Sequence, residues 1–483
     1  MLKVYNTLTR QKEEFKSIEE GKVRFYQCGP TVYWTQHIGN MRAMVCADLI
    51  RRSLKYLGYD VSFVRNYTDV GHLLGDNAGD ADTGEDRMDK GAKREGLEPR
   101  EIANKYIKIF EEDIKALNII PATHTPRATH YVPQIIEMVQ ELVGKGFAYV
   151  TPKAVYFDVS KAKDYNRLNK QNLEENREGA GSGDVQDSEK KNPHDFALWF
   201  FKTGVHKDAL QTWDSPWGEG LPAGRQGFPG WHIECSAMIK TLLGDTIDIH
   251  MGGIEHIPIH HTNEIAQSEA VNGVPLANYW IHNEHLLVND KKMAKSEGTG
   301  YALSEVIEKG YDPLDLRYFF LQAHYKSKQN FTWEALDAAR TARGRLQSVV
   351  GGLSQNKGDN VDEQKIEKYE DYRVQFEEAL SDDFNVSQAL AVLWEALKSN
   401  LASQDKLDLA TNFDEVLGLS LDQRQDIQGV RDIPEGVLEL VDKRGRLRKE
   451  GKFEEADGVR GEIEEMGYLV KDTAEGPSVK RKT

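Results

Sequence analysis

Near the start of the chain, the spacing of apolar positions changes from one period to another and back. Lys22 to Gln27 alternates polar and apolar in the manner of a strand, and Cys28-Gly29-Pro30 then breaks the pattern and opens a loop. From Met41 to Tyr56 the apolar side chains Met44, Val45, Leu49, Ile50 and Leu54 fall at helical spacing. Gly58 ends that run, and Val61-Ser62-Phe63-Val64 reads as the next strand. Strand, loop, helix and strand in succession predict a βαβ unit, and so a parallel sheet whose ligand loops sit at the strand ends.

Farther along, the pattern marks out segments. Gly75 to Gly96 is rich in Gly and Asp without apolar periodicity and reads as an exposed loop. Glu174 to Lys191 has a similar composition and is expected to cap an inserted subdomain covering Pro121 to Pro193, and Leu221 to Pro229 reads as a further Gly- and Pro-rich loop. Beyond Phe331, Trp333 to Val350 and Gln364 to Leu380 predict helices, with polar Gly351 to Gln364 as their link. Asp432 to Thr483 forms a last, highly charged unit ending in Lys480-Arg481-Lys482.

Composition narrows the class. A chain of 483 residues exceeds what one core organises, so two to four domains are expected. Met1-Leu2-Lys3-Val4-Tyr5 lacks the pattern of a secretory signal and no run reaches membrane-spanning length, so a cytoplasmic protein is the expectation. The three cysteines, Cys28, Cys46 and Cys235, are odd in number and far apart, which leaves apolar fillers, metal ligands or nucleophiles rather than a disulfide framework. A formal charge of -16 argues against binding nucleic acid by bulk attraction, although local basic patches remain compatible with it.

Two loops carry candidate chemistry. His37-Ile38-Gly39-Asn40 stands directly before the first helix, where unpaired N–H groups and partial positive charge suit phosphates and Gly39 permits close approach. A capped helix with an incidental histidine is the alternative. Lys291-Lys292-Met293-Ala294-Lys295-Ser296 follows the apolar Leu286-Leu287-Val288, and two lysines three apart can close on a triphosphate. The alternative there is a solvated basic loop.

Together, in this order, the two segments resemble the HIGH and KMSKS motifs of class I aminoacyl-tRNA synthetases. Cys28-Gly29-Pro30-Thr31-Val32-Tyr33, Gly230-Trp231-His232-Ile233-Glu234-Cys235-Ser236-Ala237-Met238 and His260-His261-Thr262-Asn263-Glu264-Ile265-Ala266-Gln267-Ser268 resemble the cysteinyl branch of that family, and the resemblance extends along almost the whole chain. It implies an α/β fold: a Rossmann-like parallel-sheet catalytic domain in two halves (residues 1–120 and 194–296), separated by a connective insertion (121–193). A stem-contact segment (297–330), a helical tRNA-binding domain (331–429) and a small C-terminal anticodon-binding domain (430–483) would follow.

The activity implied is activation of L-cysteine with ATP and Mg2+, then transfer to tRNA(Cys), by a monomer holding one Zn2+. His37, Asn40, Lys292 and Lys295 would be catalytic, and Gly29 and Gly39 would join them around ATP. The implied zinc ligands are Cys28, Cys235, His260 and Glu264. His260 and Glu264, four apart, would share one helix face, and all four donor types suit zinc. Thr31, Thr68, Trp231, His250 and Glu255 would surround the cysteine, and Asp457, Arg460 and Asp472 would read tRNA, with Lys480 to Lys482 on phosphate. The stretch His232 to His261 holds five of the chain's fourteen histidines, a density that favours a site. Cys46, inside the first helix, is assigned to packing.

The sequence departs from the family pattern at four positions. Asn40 stands where a second His is usual, Ala294 for Ser, Glu255 for Asp, and Val479 for Trp. Two other readings remain: a cysteine ligase acting on an amino sugar, and a catalytically silent relative that binds tRNA or thiols.

Overall fold

The structure, a computed structural model, describes residues 1–71, 87–170, 188–220, 224–293, 299–353, 363–421, 435–449, 452–473 and 476–481. The chain divides into a larger unit, Met1–Leu419, and a smaller one, Ser420–Thr483.

The larger unit opens with an antiparallel hairpin, β1 (Lys3–Asn6) and β2 (Gln11–Glu14). The expected βαβ unit follows as β3 (Lys22–Gln27), α1 (Ile38–Tyr56) and β4 (Asp60–Arg65), with β3 and β4 parallel and Phe25 opposite Phe63. Met44, Val45, Leu49, Ile50 and Leu54 of α1 are all buried, as their spacing predicts. Cys46 is buried in the same apolar core as Phe25, Phe63 and Ile249.

Next come α2 (Arg87–Glu95) and α3 (Pro99–Ala116). The expectation of a loop from Gly75 to Gly96 is therefore corrected at residues 87–95; residues 75–86 lie outside the described ones. Helix α2 buries Met88, Gly91 and Ala92, a helical spacing in which two of the three side chains are too small to register as an apolar stripe.

After α4 (Val132–Gly144), the strands β5 (Ala148–Val150), β6 (Ala154–Phe157), β7 (Phe196–Phe201), β8 (Trp213–Asp214) and β9 (Gln226–Pro229) form an antiparallel sheet in the order β5-β6-β7-β9-β8. The insertion thus runs past Pro193 to Pro229, and the end of the stretch read as a loop from Leu221 is a strand. Both departures have a physical reason. Wholly buried Phe196–Phe201 reads like a strand of a parallel core. In β9, Gly227 is required because a Cβ there would overlap the Phe200 carbonyl and the Trp199 ring, so a glycine that looks like a breaker marks close packing instead. Residues 171–187 and 221–223, which carry most of the other loop expectations, lie outside the described ones.

The second half of the parallel sheet and its helices comprises α5 (Trp231–Leu243), β10 (Ile247–Gly253), α6 (His260–Asn272) and β11 (Ala277–Asn283). The four parallel strands run in the order β11-β10-β3-β4, so the chain leaves β3 toward one edge and later returns on its other side as β10. That reversal is the topological switch point, where an open parallel sheet leaves a crevice beyond its strand ends.

A small sheet joins β12 (Leu286–Val288), β13 (Lys291–Lys292) and, beyond α7 (Leu303–Glu308) and α8 (Pro313–Leu321), β14 (Gln329–Phe331). The helices α9 (Trp333–Leu353), α10 (Glu363–Ser381), α11 (Val386–Lys398) and α12 (Ser403–Leu417) complete the unit. Buried charge ties them to the sheet domain: Asp48 of α1 accepts from Arg317 Nη2 of α8 at 2.7 Å and from Arg52 Nε at 2.8 Å, while Arg317 Nε donates to Leu417 O at 2.7 Å.

The smaller unit contains α13 (Glu435–Lys449), α14 (Phe453–Glu465) and an antiparallel pair, β15 (Tyr468–Thr473) and β16 (Gly476–Arg481), around Val437, Val441, Val459, Ile463, Tyr468 and Val470. Among the described residues, no helix is long and apolar enough to cross a membrane.

Candidate active site and metal centre

Cys28 emerges from the end of β3, Cys235 lies on the second turn of α5, and His260 and Glu264 occupy one face of the first turns of α6. All four are buried. The two sulfurs lie 4.0 Å apart, Cys235 Sγ is 3.7 Å from His260 Nε2, and Cys28 Sγ is 3.6 Å from Glu264 Oε1. His260 Nε2 and Glu264 Oε1 are 2.8 Å apart. These four donor atoms lie within 4.8 Å of one another.

A tetrahedral ion with bonds of about 2.0 to 2.3 Å would place its ligands about 3.3 to 3.8 Å apart, close to three of these separations. The fourth is a hydrogen bond that a metal would replace. A second set, Cys28, His250, His261 and Glu264, meets the same 4.8 Å span and shares two donors with the first.

The electrostatics are those of a site prepared for a cation. Burial pushes the Cys28 thiol up, whereas Cys235, with the Cys28 S–H donating to it, falls to about 7. Burial opposes charge on His260, but the Glu264 carboxylate raises it to about 10. Burial likewise works against ionised Glu264, yet His250 and His260 together hold it well below the usual carboxylate range.

Around these donors stand further rings. Trp231 stacks on His260 with centroids 4.2 Å apart, and His232 Nδ1 meets His260 Nδ1 at 2.9 Å. His250 Nε2 binds Glu264 Oε2 at 2.6 Å. His261 Nε2 lies 3.4 Å from Cys28 Sγ, and His261 Nδ1 lies 2.8 Å from His282 Nε2. Such partners fix ligand orientation. Of these, His282 lies outside the His-rich stretch, and only the β11 strand places it here.

Thr31 and Thr68 form a bridge beside this cluster, and Thr68 Oγ1 donates to buried Glu234 Oε2 at 3.2 Å while accepting from Asn66 Nδ2 at 3.2 Å. The structure does not join His250 to Glu255. His250 is buried behind Glu264, whereas Glu255 is exposed, with its carboxylate folded over Gly253 and 3.7 Å from His285 Nδ1.

The segment expected to meet the nucleotide forms the start of α1. His37 is its N-cap, and Asn40 stands at the third helical position. Met293, which follows Lys292, reaches the Gly39 Cα, and Ile38 N donates to Tyr301 O at 2.8 Å. Met293 and Tyr301, on either side of residues 294–298, thus both lie against the His37–Asn40 turn. Lys295, Ala294 and Ser296 lie outside the described residues, as does the Lys292 side chain. Gly29 N donates to Asn66 Oδ1 at 2.8 Å, and a Cβ on Gly29 would overlap the Asn66 carbonyl. In the smaller unit, Asp457 and Arg460 are exposed on α14, and Arg460 Nε pairs with Glu464 at 3.1 Å. Asp472 pairs with Pro477 through the backbone, Val479 with Val470. The side chains of Asp472, Val479 and Lys480 lie outside the described ones, and so does Lys482.

The profile of the tRNA synthetases class I (C) catalytic domain matches residues 14–341, and that of the DALR domain matches 375–421. A Mycobacterium tuberculosis methionyl-tRNA synthetase, solved bound by methionyl-adenylate, shares the fold with a TM-score of 0.54 at 14% identity, over 82% of this chain and 90% of its own. The fold is that of a class I aminoacyl-tRNA synthetase. The cysteine–tRNA ligase of Caldicellulosiruptor saccharolyticus is 40% identical over 99% of this chain and 100% of its own length. The cysteine–tRNA ligase 1 of Burkholderia lata is 41% identical over 98% and 96%. The chain belongs to the cysteine–tRNA ligase family.

Proposed function

We propose that the chain activates L-cysteine with ATP and Mg2+ and transfers it to tRNA(Cys), as a cytoplasmic monomer with one zinc ion held by Cys28, Cys235, His260 and Glu264. The observation that carries this reading is the convergence of those four donors, from three separate elements, at one buried point of the switch-point crevice. The first donor set is preferred to the second because it offers two thiolates, while His250 Nε2 is engaged in holding Glu264. A zinc ion there supplies a soft acceptor for the substrate thiolate, which a serine hydroxyl cannot match.

Trp231, stacked on His260, forms the wall against which the amino acid lies, and Thr31 and Thr68 line the side nearest Glu234. Gly29, Gly39, His37 and Asn40 present the turn to ATP, and Lys292 and Lys295 stabilise charge on the departing pyrophosphate. The cysteine carboxylate attacks the α-phosphorus, and the acyl group then passes to the 2′-hydroxyl of the terminal adenosine. Positioning and electrostatics supply the rate, without a protein nucleophile. The helical domain and the terminal unit hold the tRNA, with Asp457, Arg460 and Asp472 as candidate readers of bases. Full-length coverage of the tRNA ligases and the DALR match favour this over the amino-sugar ligase.

The test is cysteine-dependent exchange of pyrophosphate into ATP, with serine as competitor. Exchange with cysteine alone is expected. Its absence defeats the enzyme reading, and equal exchange with serine defeats the role given to zinc.

A further inference from the structure

The loop between β3 and α1 holds a feature that the cysteine and ATP sites do not use. Trp34, three residues before His37, is 37% exposed, an unusual setting for an indole. The Arg94 guanidinium of α2 lies over its ring at 3.6 Å, and the Tyr106 ring of α3 is nearly parallel to it, with centroids 6.4 Å apart. Arg94 is itself fixed: Nη2 donates to Tyr33 O at 3.1 Å and pairs with Glu95 at 2.8 Å. The indole is thus held by a stacked cation rather than by burial.

The exposed charges of α2 are basic, its terminal Glu95 being taken up by Arg94 and Lys105. Lys90, Lys93 and Arg94 are exposed, whereas Asp89 of the same helix is buried. In a chain of net charge -16, this is a local basic face beside an exposed aromatic ring. Aromatic rings flanked by basic side chains are how proteins hold single-stranded nucleic acid: the ring stacks a base and the cations meet the backbone.

We propose that Trp34, backed by Arg94 and flanked by Lys90 and Lys93, stacks an unpaired base at the acceptor end of tRNA as that end enters the site. This rests on the synthetase reading above. The occupant is a base of a large partner rather than the adenine of ATP, because small-molecule sites enclose their ligands and this ring is exposed. It also gives α2 a function in a protein whose overall charge repels phosphate.

The test compares Trp34→Ala and Trp34→Phe with wild type, full length and zinc-loaded, in two assays. One is cysteine-dependent pyrophosphate exchange, and the other is charging of tRNA(Cys). Direct binding is also measured to intact tRNA and to tRNA lacking its single-stranded 3′ nucleotides. Stacking predicts that Trp34→Ala raises the KM for tRNA about tenfold or more relative to any change in exchange, and that Trp34→Phe recovers most of the loss. The binding difference between wild type and Trp34→Ala should vanish on the shortened tRNA. Unaltered charging by Trp34→Ala overturns the proposal. So does an equal loss in both assays, which would place the ring in the adenylate site, or an equal binding loss on intact and shortened tRNA, which would make it a packing residue. If the wild type itself shows no cysteine-dependent exchange, the synthetase reading fails instead.

Discussion

His37 and Asn40 hold each other across the first turn of α1: Asn40 N–H donates to His37 Nδ1 at 3.2 Å, and His37 N–H donates to Asn40 Oδ1 at 3.3 Å. Because Nδ1 accepts, the neutral ring carries its proton on Nε2. The capped-helix and phosphate-site readings of this segment are therefore compatible. The Asn40 side chain completes a capping box in which one ring orients the other residue's backbone.

Substitution separates the two roles. Asn40→Ala should lower stability by about 1 kcal/mol in urea unfolding, the cost of a lost cap, and reduce exchange. His37→Asn retains a good N-cap acceptor, so stability should stay within a few tenths of a kcal/mol of wild type while exchange falls roughly 100-fold. A parallel loss of both in His37→Asn would mean that the histidine serves the helix alone.

Gly29 follows metal candidate Cys28, and its Cα lies against the Asn66 carbonyl so closely that a Cβ has no room. Moving either strand end displaces Cys28 or the Asn66–Thr68 pair. Gly29→Ala is expected to destabilise the protein by about 1 to 3 kcal/mol and to lower zinc content, checked by urea unfolding and metal analysis. Gly39→Ala meets the His37 ring and the Met293 methyl at distances that small shifts absorb, so its effect on stability should be smaller.

What was legible in the sequence was local. The alternation in Lys22–Gln27 and the helical spacing after it give β3, α1 and β4, because period follows directly from which face is buried. The spacing of His260 and Glu264 likewise suffices to place both on one face of α6. Cys28 and Cys235 are brought together by the adjacency of β3 and β10, which no local pattern encodes; only the family resemblance paired them. The position of the Glu255 carboxylate was not legible either, because β10 ends at Gly253 and the chain turns there, folding the carboxylate back on Gly253. Helix α2 was hidden because Gly91 and Ala92 carry its buried face.

Asp113 of α3 supplies a pH dependence away from the site. Burial, with a smaller contribution from Glu112, raises its carboxyl to about 7. The folded state therefore holds a proton that the unfolded state has released, so this group's contribution to stability is fully present below the usual carboxylate pKa. It is lost as pH rises toward about 7. Asp113→Asn removes that loss. Thermal unfolding should find the variant equal to wild type near pH 4 and more stable at pH 8; a constant difference across that range would mean that Asp113 does not titrate in this window.

The two donor sets around Cys28 and Glu264 make opposite demands on their other members. If Cys235 and His260 complete the site, Cys235→Ala should abolish zinc retention on dialysis and raise the KM for cysteine, whereas His261→Ala should keep close to one zinc per chain. If His250 and His261 complete it, the pattern reverses. Cys235→Ala also removes the sulfur that lies 4.0 Å from Cys28 Sγ, so a change in packing could mimic loss of a ligand. Cys235→Ser guards against this: it nearly preserves volume and hydrogen bonding but replaces a soft donor with a hard one. Zinc analysis of the three variants, with unfolding curves measured in the presence and absence of a chelator, should show zinc-dependent stabilisation in wild type and His261→Ala only. Retention of that stabilisation in Cys235→Ser would show that Cys235 packs the site without holding the ion.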